Sequence, residues 1–479
     1  MQDPSQLNVG FQASDGGTYP MTWGQKAIWK PVKWYGDASS FFNIPVAIDL
    51  PGDPPPGRDA VVAALRTLVE RHQSLRSYYF DGPDGPAQQI ERSGTFGIQL
   101  AESTPAGSRA RADALATELA APCFDFKAEW SLRTALVSVD GIPRHAVFVV
   151  SHVAADGGGF MALVNDFLAL LGEAPGGTSS EPPGERPADE SKAWQPADQV
   201  LSEQSKRGVR RSGAAVDYWR KQLTRIPPSM FGSEGGPAAE PRWHRLRMDS
   251  PAMAAAAIRV AIDCQISLPS AVLTGTALAL ATLTSQDITV MQLIVSNRYD
   301  DQMRSMVGAA AQDGLLVVDY PDVPLAEAAR ATHRAARTGY FYGYYDPPAV
   351  DELRDRLAAK RGVQFDLTSY FNDLTPLIGA PTELPDPPPT EAEARELLAQ
   401  TTIVTEATFG TQDCKFFVEA ECGPAISRVH LLIDTAYVPP PLAETVLRGM
   451  ETILFETAFG DATVAGIPAL TGIKPAGNR

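Results

Sequence analysis

The chain has 479 residues, more than the size at which a single hydrophobic core usually stops growing, so we expect two core units. Its formal net charge of −16 and its pI near 4.9 argue against nucleic acid or an anionic membrane surface as a partner. No stretch reaches the roughly 20 uncharged apolar residues that a membrane span needs.

The cysteines and the first residues of the chain predict a cytoplasmic protein. Cys123, Cys264, Cys414 and Cys422 include no CxxC pair, and no histidine stands at zinc-finger spacing from them. We therefore expect reduced thiols, no disulfide framework and no metal site. The opening stretch, MQDPSQLNVGFQASDGG, lacks the basic and apolar regions of a secretion signal.

The first part of the chain mixes helix and strand patterns. Apolar residues at helical spacing predict a helix over 58–76, with Asp59 as its N-cap. Two β-branched runs within 132–152 predict a pair of strands joined by an Asp-Gly-type turn. The next apolar run predicts a helix over 158–172 that Gly172 closes.

A stretch rich in proline, glycine, serine and acidic residues follows, GEAPGGTSSEPPGERPADESKAW. It has almost nothing to bury, which is typical of a linker or a long surface connection. We therefore predict an N-terminal lobe over 1–175, a linker over 176–194 and a C-terminal lobe over 195–479.

The predicted C-terminal lobe also mixes helix and strand patterns. Its patterns predict a helix over 270–285, a buried strand over 288–298, a strand over 428–437 and a helix over 442–458. Alternating strands and helices in both parts favour two α/β units of similar plan.

The stretch VVSHVAADGGG, residues 149–159, places polar side chains between a strand and a helix. His152 has the side chain best suited to accept a proton near neutral pH. Asp156 could pair with a cation or cap the helix, and Gly157 and Gly158 let a substrate carbonyl approach backbone donors. Taken alone, the same residues also fit an ordinary strand, turn and helix with a half-buried histidine.

Five more segments follow known motifs in chain order. They are MTWGQKAIW (21–29, through Thr22, Gln25, Ile28 and Trp29), FFNIP (41–45), RHQSLRSYY (71–79, through Arg71, His72, Leu75 and Arg76), WSLRTALV (130–137) and SNRYDDQMRSMVG (296–308, through Arg298). Together with the HxxxDG stretch, they resemble the condensation domains of nonribosomal peptide synthetases. That superfamily also includes chloramphenicol acetyltransferase and acyltransferases associated with polyketides.

The resemblance implies an α/β (α+β) fold of two chloramphenicol-acetyltransferase-like lobes, in a V-shaped pseudo-dimer with a tunnel between them. His152 matches the second histidine of the HHxxxDG motif, which implies a catalytic role on an amine or hydroxyl that attacks a thioester. Asp156 and Arg298 match an ion pair that holds the loop. Gly157 matches a glycine whose backbone N–H lies near the oxyanion that develops.

Further residues match positions that support the motifs, namely Gln25, Trp29, Arg71, Arg76 and Ser151. Ser151 replaces the first histidine of HHxxxDG, a residue that mainly supports the loop in the family. Ala309 and Ala310 stand where the family has aromatic residues, and Gln312 stands where it has asparagine. The family's H-Q-D-x-P-F-E segment is replaced by the aromatic run RTGYFYGYYDPP, residues 337–348.

The resemblance implies a standalone condensation enzyme that transfers an acyl or aminoacyl thioester to an amine or a hydroxyl. No carrier segment of the GGxS type is present, so the expected thioester is held on the phosphopantetheine of a separate carrier protein. The acceptor is a small molecule, free or carrier-bound. We expect no bound cofactor, no nucleotide, no nucleic acid or membrane partner, and a monomer.

Two alternatives remain open at this point. Ser151 and the missing downstream segment favour a non-catalytic module that recruits carrier proteins or tailoring enzymes. The other alternative is an O- or N-acyltransferase that takes its acyl group from coenzyme A. The histidine, aspartate, glycine and arginine of the matched motifs favour catalysis over recruitment.

Overall fold

A computed structural model describes residues 5–172, 193–377, 379 and 383–474. The described residues form two compact units. The first unit holds the chain up to Arg211 together with residues 296–312, and the second holds residues 212–295 and the chain from Asp313 onward.

The helices and strands up to residue 223 are these, in chain order: β1 Gln6–Gln12, β2 Gly17–Pro20, α1 Trp23–Tyr35, β3 Asn43–Asp49, α2 Arg58–Arg71, β4 Ser77–Gly82, β5 Gly85–Ile90, β6 Ser93–Glu102, α3 Ser108–Ala120, β7 Leu132–Val139, β8 Ile142–Ser151, α4 Gly157–Leu170, α5 Pro196–Gln204 and α6 Lys206–Leu223. Two 3-10 helices, Gly36–Phe42 and Gln73–Arg76, connect neighbouring elements.

The remaining elements follow in the same way: β9 Trp243–Ser250, α7 Pro251–Cys264, α8 Leu268–Thr284, β10 Ile288–Val295, α9 Asp301–Ser305, β11 Gln312–Asp319, α10 Leu325–Phe341, α11 Pro347–Arg361, β12 Ser369–Asp373, α12 Glu391–Leu397, β13 Thr402–Phe409, β14 Phe416–Cys422, β15 Ser427–Asp434, α13 Pro440–Phe459 and α14 Ile467–Thr471.

A mixed sheet in the order β1-β6-β7-β8-β3 forms the centre of the first unit. Helices cover both faces at β8: Phe148 packs into the core cluster that includes α2 and α4, while Val147 packs with residues of α3. A strand that is covered on both faces buries consecutive residues. This explains why the strand before His152 is a continuous apolar run and not an alternating pattern.

The second unit contains a larger mixed sheet in the order β11-β10-β12-β14-β15-β9-β13. Helices α7, α8 and α13 supply much of its core, and α8 is buried along almost its whole length. Strand β14 alternates buried and partly buried residues, as a strand does when only one of its faces lies on a core. Both units therefore combine mixed sheets with packed helices.

The two units do not coincide with the lobes that the sequence predicts. Segments 195–211 and 296–312 cluster with the first unit. The first of these is held there by Glu203, whose carboxylate accepts the backbone N–H of Trp23 at 3.0 Å. The predicted linker, 176–194, lies outside the described residues except for its last two positions.

Several helices and strands begin or end at residues other than those predicted from the sequence. Asp59 is not the N-cap of α2, because Gly57 takes that position and Asp59 lies in the first turn, where a carboxylate favours the helix dipole. The helix stops at Arg71 because His72 adopts an extended backbone. The predicted hairpin turn is confirmed, since Asp140 and Gly141 have φ values of 54° and 75°, the left-handed backbone that such turns need.

The predicted strand over 288–298 ends early, at Val295, and the one over 428–437 ends at Asp434. No single helix among the described residues is long and apolar enough to span a bilayer. Helices α7 and α8 reach that length and composition only as a pair bent by 107°.

One carboxyl in the second unit gives a testable pH dependence. Burial and the nearby charge of Asp413 raise the pKa of Asp313, in β11, to about 7. The unfolded chain loses this proton near pH 4, so the side chain destabilises the folded state increasingly as the pH rises from about 4 to 7. We expect Asp313→Asn to raise Tm by roughly 2–6 °C at pH 8 and to change it little at pH 4.

Thermal unfolding at the two pH values measures this effect, and the exposed Asp461→Asn serves as the control. Equal changes in Tm at pH 4 and pH 8 would contradict the assigned pKa.

Candidate active site

His152 lies immediately after β8, at the start of the short loop that leads to α4. Its backbone N–H donates to the carbonyl oxygen of Phe42 at 3.0 Å, because β3 pairs with the end of β8. The carbonyl of Ser151 accepts the N–H groups of Ala154 and Ala155 at 2.8 and 3.2 Å. These backbone bonds fix the position from which the imidazole projects.

The two ring nitrogens of His152 differ in their surroundings. Nδ1 is buried and has no hydrogen-bond partner among the described residues. No described residue bonds to Nε2, so its lone pair is available.

Burial lowers the pKa of His152, while the charge of Asp156 and the histidine's own carbonyl raise it in part. The net direction is downward from the ordinary value, so the imidazole is neutral at pH 7. A neutral imidazole with an available Nε2 has the protonation state that a general base requires.

Asp156 is the N-cap of α4 and is almost fully enclosed. Oδ1 accepts the N–H of Gly159 at 2.7 Å and Nη2 of Arg298 at 2.8 Å. Oδ2 accepts the N–H groups of Ala310 and Ala311 at 2.7 and 2.8 Å. Burial raises the pKa of this carboxyl, but the Arg298 charge and the backbone donors outweigh it and hold the pKa below its usual range.

The guanidinium of Arg298 is equally engaged. Nη1 donates to the carbonyls of Met303 and Met306, the latter at 2.9 Å, and Nη2 also donates to the carbonyl of Gly308 at 2.7 Å. The side chains of Arg298 and Asp156 are 7% and 4% exposed. A buried ion pair is stable only when hydrogen bonds satisfy its remaining atoms, and these contacts do so.

The glycines after Asp156 allow this packing. A Cβ atom on Gly159 would lie 2.4 Å from the carbonyl oxygen of Gly308, and one on Gly158 would lie 2.5 Å from Nε of Arg298. Real Cβ atoms do not approach backbone oxygen so closely, because the contact is well inside van der Waals distance. The second and third glycines of the ADGGG stretch therefore serve the approach of α4 to residues 298–308.

Gly157 and Gly158 open α4, where backbone N–H groups have no partner within the helix. Asp156 caps the N–H of Gly159, and no described residue accepts from the two N–H groups before it. The positive end of the helix dipole adds to these donors. The loop thus carries a proton acceptor at its start and two N–H donors at its end.

A family model described as a condensation domain matches residues 16–310, more than half of the chain. This chain belongs to the condensation-domain family. The matched range includes His152, Asp156, Gly157 and Arg298.

Curated relatives of this condensation domain are much longer proteins. The probable non-canonical nonribosomal peptide synthetase CymA of Salinispora arenicola is 29% identical over 218 residues, which are 43% of this chain and 3% of that protein. The isonitrile lipopeptide synthase of Mycobacterium tuberculosis is 25% identical over 367 residues, which are 72% of this chain and 14% of that protein. The chain therefore matches only a small part of the length of these relatives.

Solved condensation domains share the fold. The condensation domain from the monacolin K polyketide synthase MokA has a TM-score of 0.68 at 15% identity and covers 93% of this chain and 99% of that chain. The X-domain from teicoplanin biosynthesis has a TM-score of 0.65 at 17% identity and covers 93% and 96%. The predicted fold class, an α/β protein of two chloramphenicol-acetyltransferase-like lobes, is confirmed.

The remaining motif residues of this condensation domain support the first unit. Gln25 is fully buried, completes the capping box of α1 and donates to Gln88 at 3.2 Å. Trp29 donates its indole N–H to Asp81 at 3.0 Å. The guanidinium of Arg76 is fully buried and donates to the carbonyl of Glu91 at 2.6 Å. The hydrogen bonds of these residues lie away from His152.

Arg71 and its neighbour His72 share a partner that the motifs did not indicate. Both bond to Asp166 on α4, with Nε2 of His72 at 2.7 Å. A single acidic residue within the apolar pattern of α4 was the available signal. Ser151 is buried, and its hydroxyl accepts the N–H of Val153 at 3.4 Å, so it supports the loop.

Distant segments also support residues 307–310, the strip that bonds to Asp156. Ser74 donates its hydroxyl to the carbonyl of Val307 at 2.7 Å, and Thr22 donates to that of Ala309 at 3.3 Å. A Cβ atom on Gly24 would lie 2.3 Å from the same Ala309 oxygen. The backbone carbonyl of Ala309 thus lies against the start of α1.

The aromatic run over 337–348 belongs to the second unit. Tyr342 stacks on Tyr218 with ring centroids 4.8 Å apart, Tyr345 packs edge-on against Trp219, and Phe341 is exposed. Among the described residues, no group of three His, Cys, Asp or Glu side chains is placed to hold a metal ion.

We expect Arg298→Ala to destabilise the first unit by about 3–5 kcal/mol, because Asp156 would keep a buried charge without its partner. Urea unfolding measures the loss. Arg304→Ala is the matched control, since the pair of Arg304 with Asp301 is exposed and contributes little. An unfolding midpoint equal to that of the unaltered protein would show that the pair does not stabilise the fold.

Proposed function

We propose that the chain is a condensation enzyme that joins an acyl or aminoacyl thioester on a carrier's phosphopantetheine to an amine, or to a hydroxyl. The observation that carries the proposal is the neutral His152, whose Nδ1 is enclosed and whose Nε2 has no partner among the described residues. One longer relative is a probable non-canonical nonribosomal peptide synthetase and another is a subunit of linear gramicidin synthase, which supports carrier proteins as partners. The net charge of −16 argues against nucleic acid as a partner.

The proposed reaction starts when the acceptor nitrogen attacks the thioester carbonyl carbon. Nε2 of His152 accepts the proton that the nitrogen loses as the new C–N bond forms. The carbonyl oxygen becomes an oxyanion, which the N–H groups of Gly157 and Gly158 stabilise. When the C–S bond breaks, the imidazolium returns its proton to the departing thiolate, which leaves an amide and a free thiol.

Asp156 takes no part in moving the proton. Its two oxygens already accept from Gly159, Arg298, Ala310 and Ala311, and no described bond joins it to the imidazole. It acts on His152 only through its charge, which raises the histidine's pKa, and through the loop it anchors. This arrangement differs from a Ser-His-Asp triad, in which the carboxylate bonds to the imidazole directly.

Ser151 favours one second candidate, a non-catalytic module that recruits carrier proteins. Its hydroxyl serves the loop and cannot replace the imidazole of the missing first histidine. The coenzyme A acyltransferase would use the same two donors and the same base, so it differs only in the thioester that it accepts. Turnover with carrier-loaded and with coenzyme A thioesters separates these alternatives.

We expect His152→Ala to lower turnover by about 10²–10⁴-fold, the range that general base catalysis supplies. The test loads candidate carriers and follows transfer by intact-mass spectrometry. His244→Ala, in the second unit, is the matched control, and both variants should keep the unfolding midpoint of the unaltered protein. Equal rates for His152→Ala and the unaltered protein would remove His152 from the mechanism.

The pH profile of kcat/KM gives an independent check. Protonation of His152 abolishes its function as a base, and burial lowers its pKa. As the pH is lowered, kcat/KM should therefore fall with an apparent pKa below 6.5. The residual activity of His152→Ala should lack this acid limb. An acid limb above pH 6.5, or one that persists in the variant, would assign the titration to another group.

A further inference from the structure

Three polar side chains of the first unit form a series of hydrogen bonds that the reaction at His152 does not use. Nδ1 of His145 bonds to Oδ1 of Asp49 at 2.8 Å, and its Nε2 bonds to Oγ of Ser108 at 3.0 Å. A carboxylate on Nδ1 and a serine hydroxyl on Nε2 is the order found in a Ser-His-Asp triad. His145 lies near the start of β8 and His152 just after its end, so roughly 20 Å of extended strand separates the two histidines.

The sheet and helix α3 explain why these three residues meet. Asp49 and His145 are paired residues of the neighbouring strands β3 and β8, so their side chains lie on the same face of the sheet. Helix α3 covers that face, because its apolar residues pack against Val147, two residues beyond His145 on the same strand. Ser108 is the first residue of α3, which places its hydroxyl at the imidazole.

The charge of Asp49 sets the direction of these hydrogen bonds. Burial raises the pKa of its carboxyl, but hydrogen bonds from His145 and Arg109 outweigh it and hold the pKa below its usual range. An ionised carboxylate can only accept, so Nδ1 of His145 donates to it. In the neutral imidazole Nε2 then carries the lone pair and accepts the hydroxyl proton of Ser108. The carbonyl of Pro105, at 3.2 Å, is the more distant acceptor for the same proton.

The start of α3 supplies hydrogen-bond donors beside this hydroxyl. The N–H groups of Ser108, Arg109 and Ala110 open the helix, and no described residue accepts from them. The positive end of the helix dipole adds to their effect on a negative charge. Ser108 is 7% exposed, while Ala106 and Arg109 on either side of it are exposed. A small group can therefore reach the hydroxyl from solvent, with its carbonyl oxygen at the free N–H groups.

We propose that Ser108, His145 and Asp49 form a second acyl-transfer site, at which Ser108 takes a short acyl group from a small ester and passes it to water. Oγ of Ser108 attacks the ester carbonyl carbon while Nε2 of His145 accepts the hydroxyl proton. The C–O bond to the leaving group breaks, and the imidazolium protonates the departing oxygen. Water then attacks the acyl-serine and gives a proton to Nε2, which returns it to Oγ as the carboxylic acid leaves. Asp49 is a positioning residue, because it holds the imidazole in the required tautomer.

The first experiment labels the unaltered protein with diisopropyl fluorophosphate, which loses fluoride when a serine oxygen attacks its phosphorus. Peptide mass spectrometry then identifies the modified serine. Ser270 is the matched control in the same chain: it is also 7% exposed and bonds to Nδ1 of His333 at 2.9 Å, but no described carboxylate bonds to that histidine. We expect Ser108 to react about 10²-fold faster than Ser270, the lower end of what general base catalysis supplies.

Variants assign the roles of the other two residues. His145→Gln keeps a polar side chain but no base, so labelling of Ser108 should slow by about 10²-fold. Asp49→Asn can donate to Nδ1 and favours the wrong tautomer, so labelling should slow by about tenfold or more at an unchanged urea midpoint. Asp113→Asn is the control for Asp49, because Asp113 also pairs with Arg109, at 3.0 Å, but has no described bond to His145; it should keep the full rate.

Release of 4-nitrophenolate from 4-nitrophenyl acetate measures turnover, which Ser108→Ala should abolish. Equal labelling of Ser108 and Ser270, an unchanged rate in His145→Gln, or full turnover in Ser108→Ala would each overturn the proposal. Faster turnover of the decanoate than of the acetate would contradict the assigned substrate class. These reactions need neither a carrier nor an amine acceptor, so their outcome is independent of the proposed condensation activity.

Discussion

The ion pair between Asp156 and Arg298 is the interaction on which the loop from His152 to Asp156 depends. Both side chains are almost fully buried, and burying charge is costly unless every polar atom finds a partner. Here the carboxylate oxygens and the guanidinium are satisfied by each other and by backbone groups of residues 303–311. Because the pair is stable only in a geometry that keeps all of these hydrogen bonds, it fixes the start of α4. It also fixes the position of His152, four residues before Asp156.

This anchoring separates two tasks that a catalytic triad combines. In a triad the carboxylate bonds to the imidazole, orients it and stabilises its charged form. Here the backbone of the histidine is held by the Phe42 carbonyl, while Asp156 holds the loop. Desolvation lowers the pKa of the imidazole, so the ring is neutral at pH 7, the protonation state that a base requires. Ser151, in place of a histidine, supports the same turn through its hydroxyl.

Much of this arrangement could be predicted from the sequence. The strand before His152 and the helix after Asp156 follow from apolar patterning, and the ordered motifs indicated the family and the partner of Asp156. The predicted ends of helices and strands were less accurate. Helix α2 stops at Arg71, where His72 has an extended backbone and its ring bonds to Asp166 on α4, a contact between residues 94 positions apart that no local pattern reports. Residues 296–312 cluster with the first unit through contacts that no local pattern reports, among them the pair of Arg298 with Asp156 and the bonds from Ser74 and Thr22 to backbone carbonyls of this segment.

The sequence by itself determined the types of chemistry available: one histidine beside a glycine-rich helix start, an aspartate to cap it, and an arginine in a matching motif. Local patterning is enough for these features because helix capping and strand formation depend on neighbouring residues. Only the tertiary structure decided which nitrogen of His152 is enclosed and which backbone groups satisfy Asp156. Those features depend on packing between segments far apart in the chain, which the spacing of residues in a sequence does not encode.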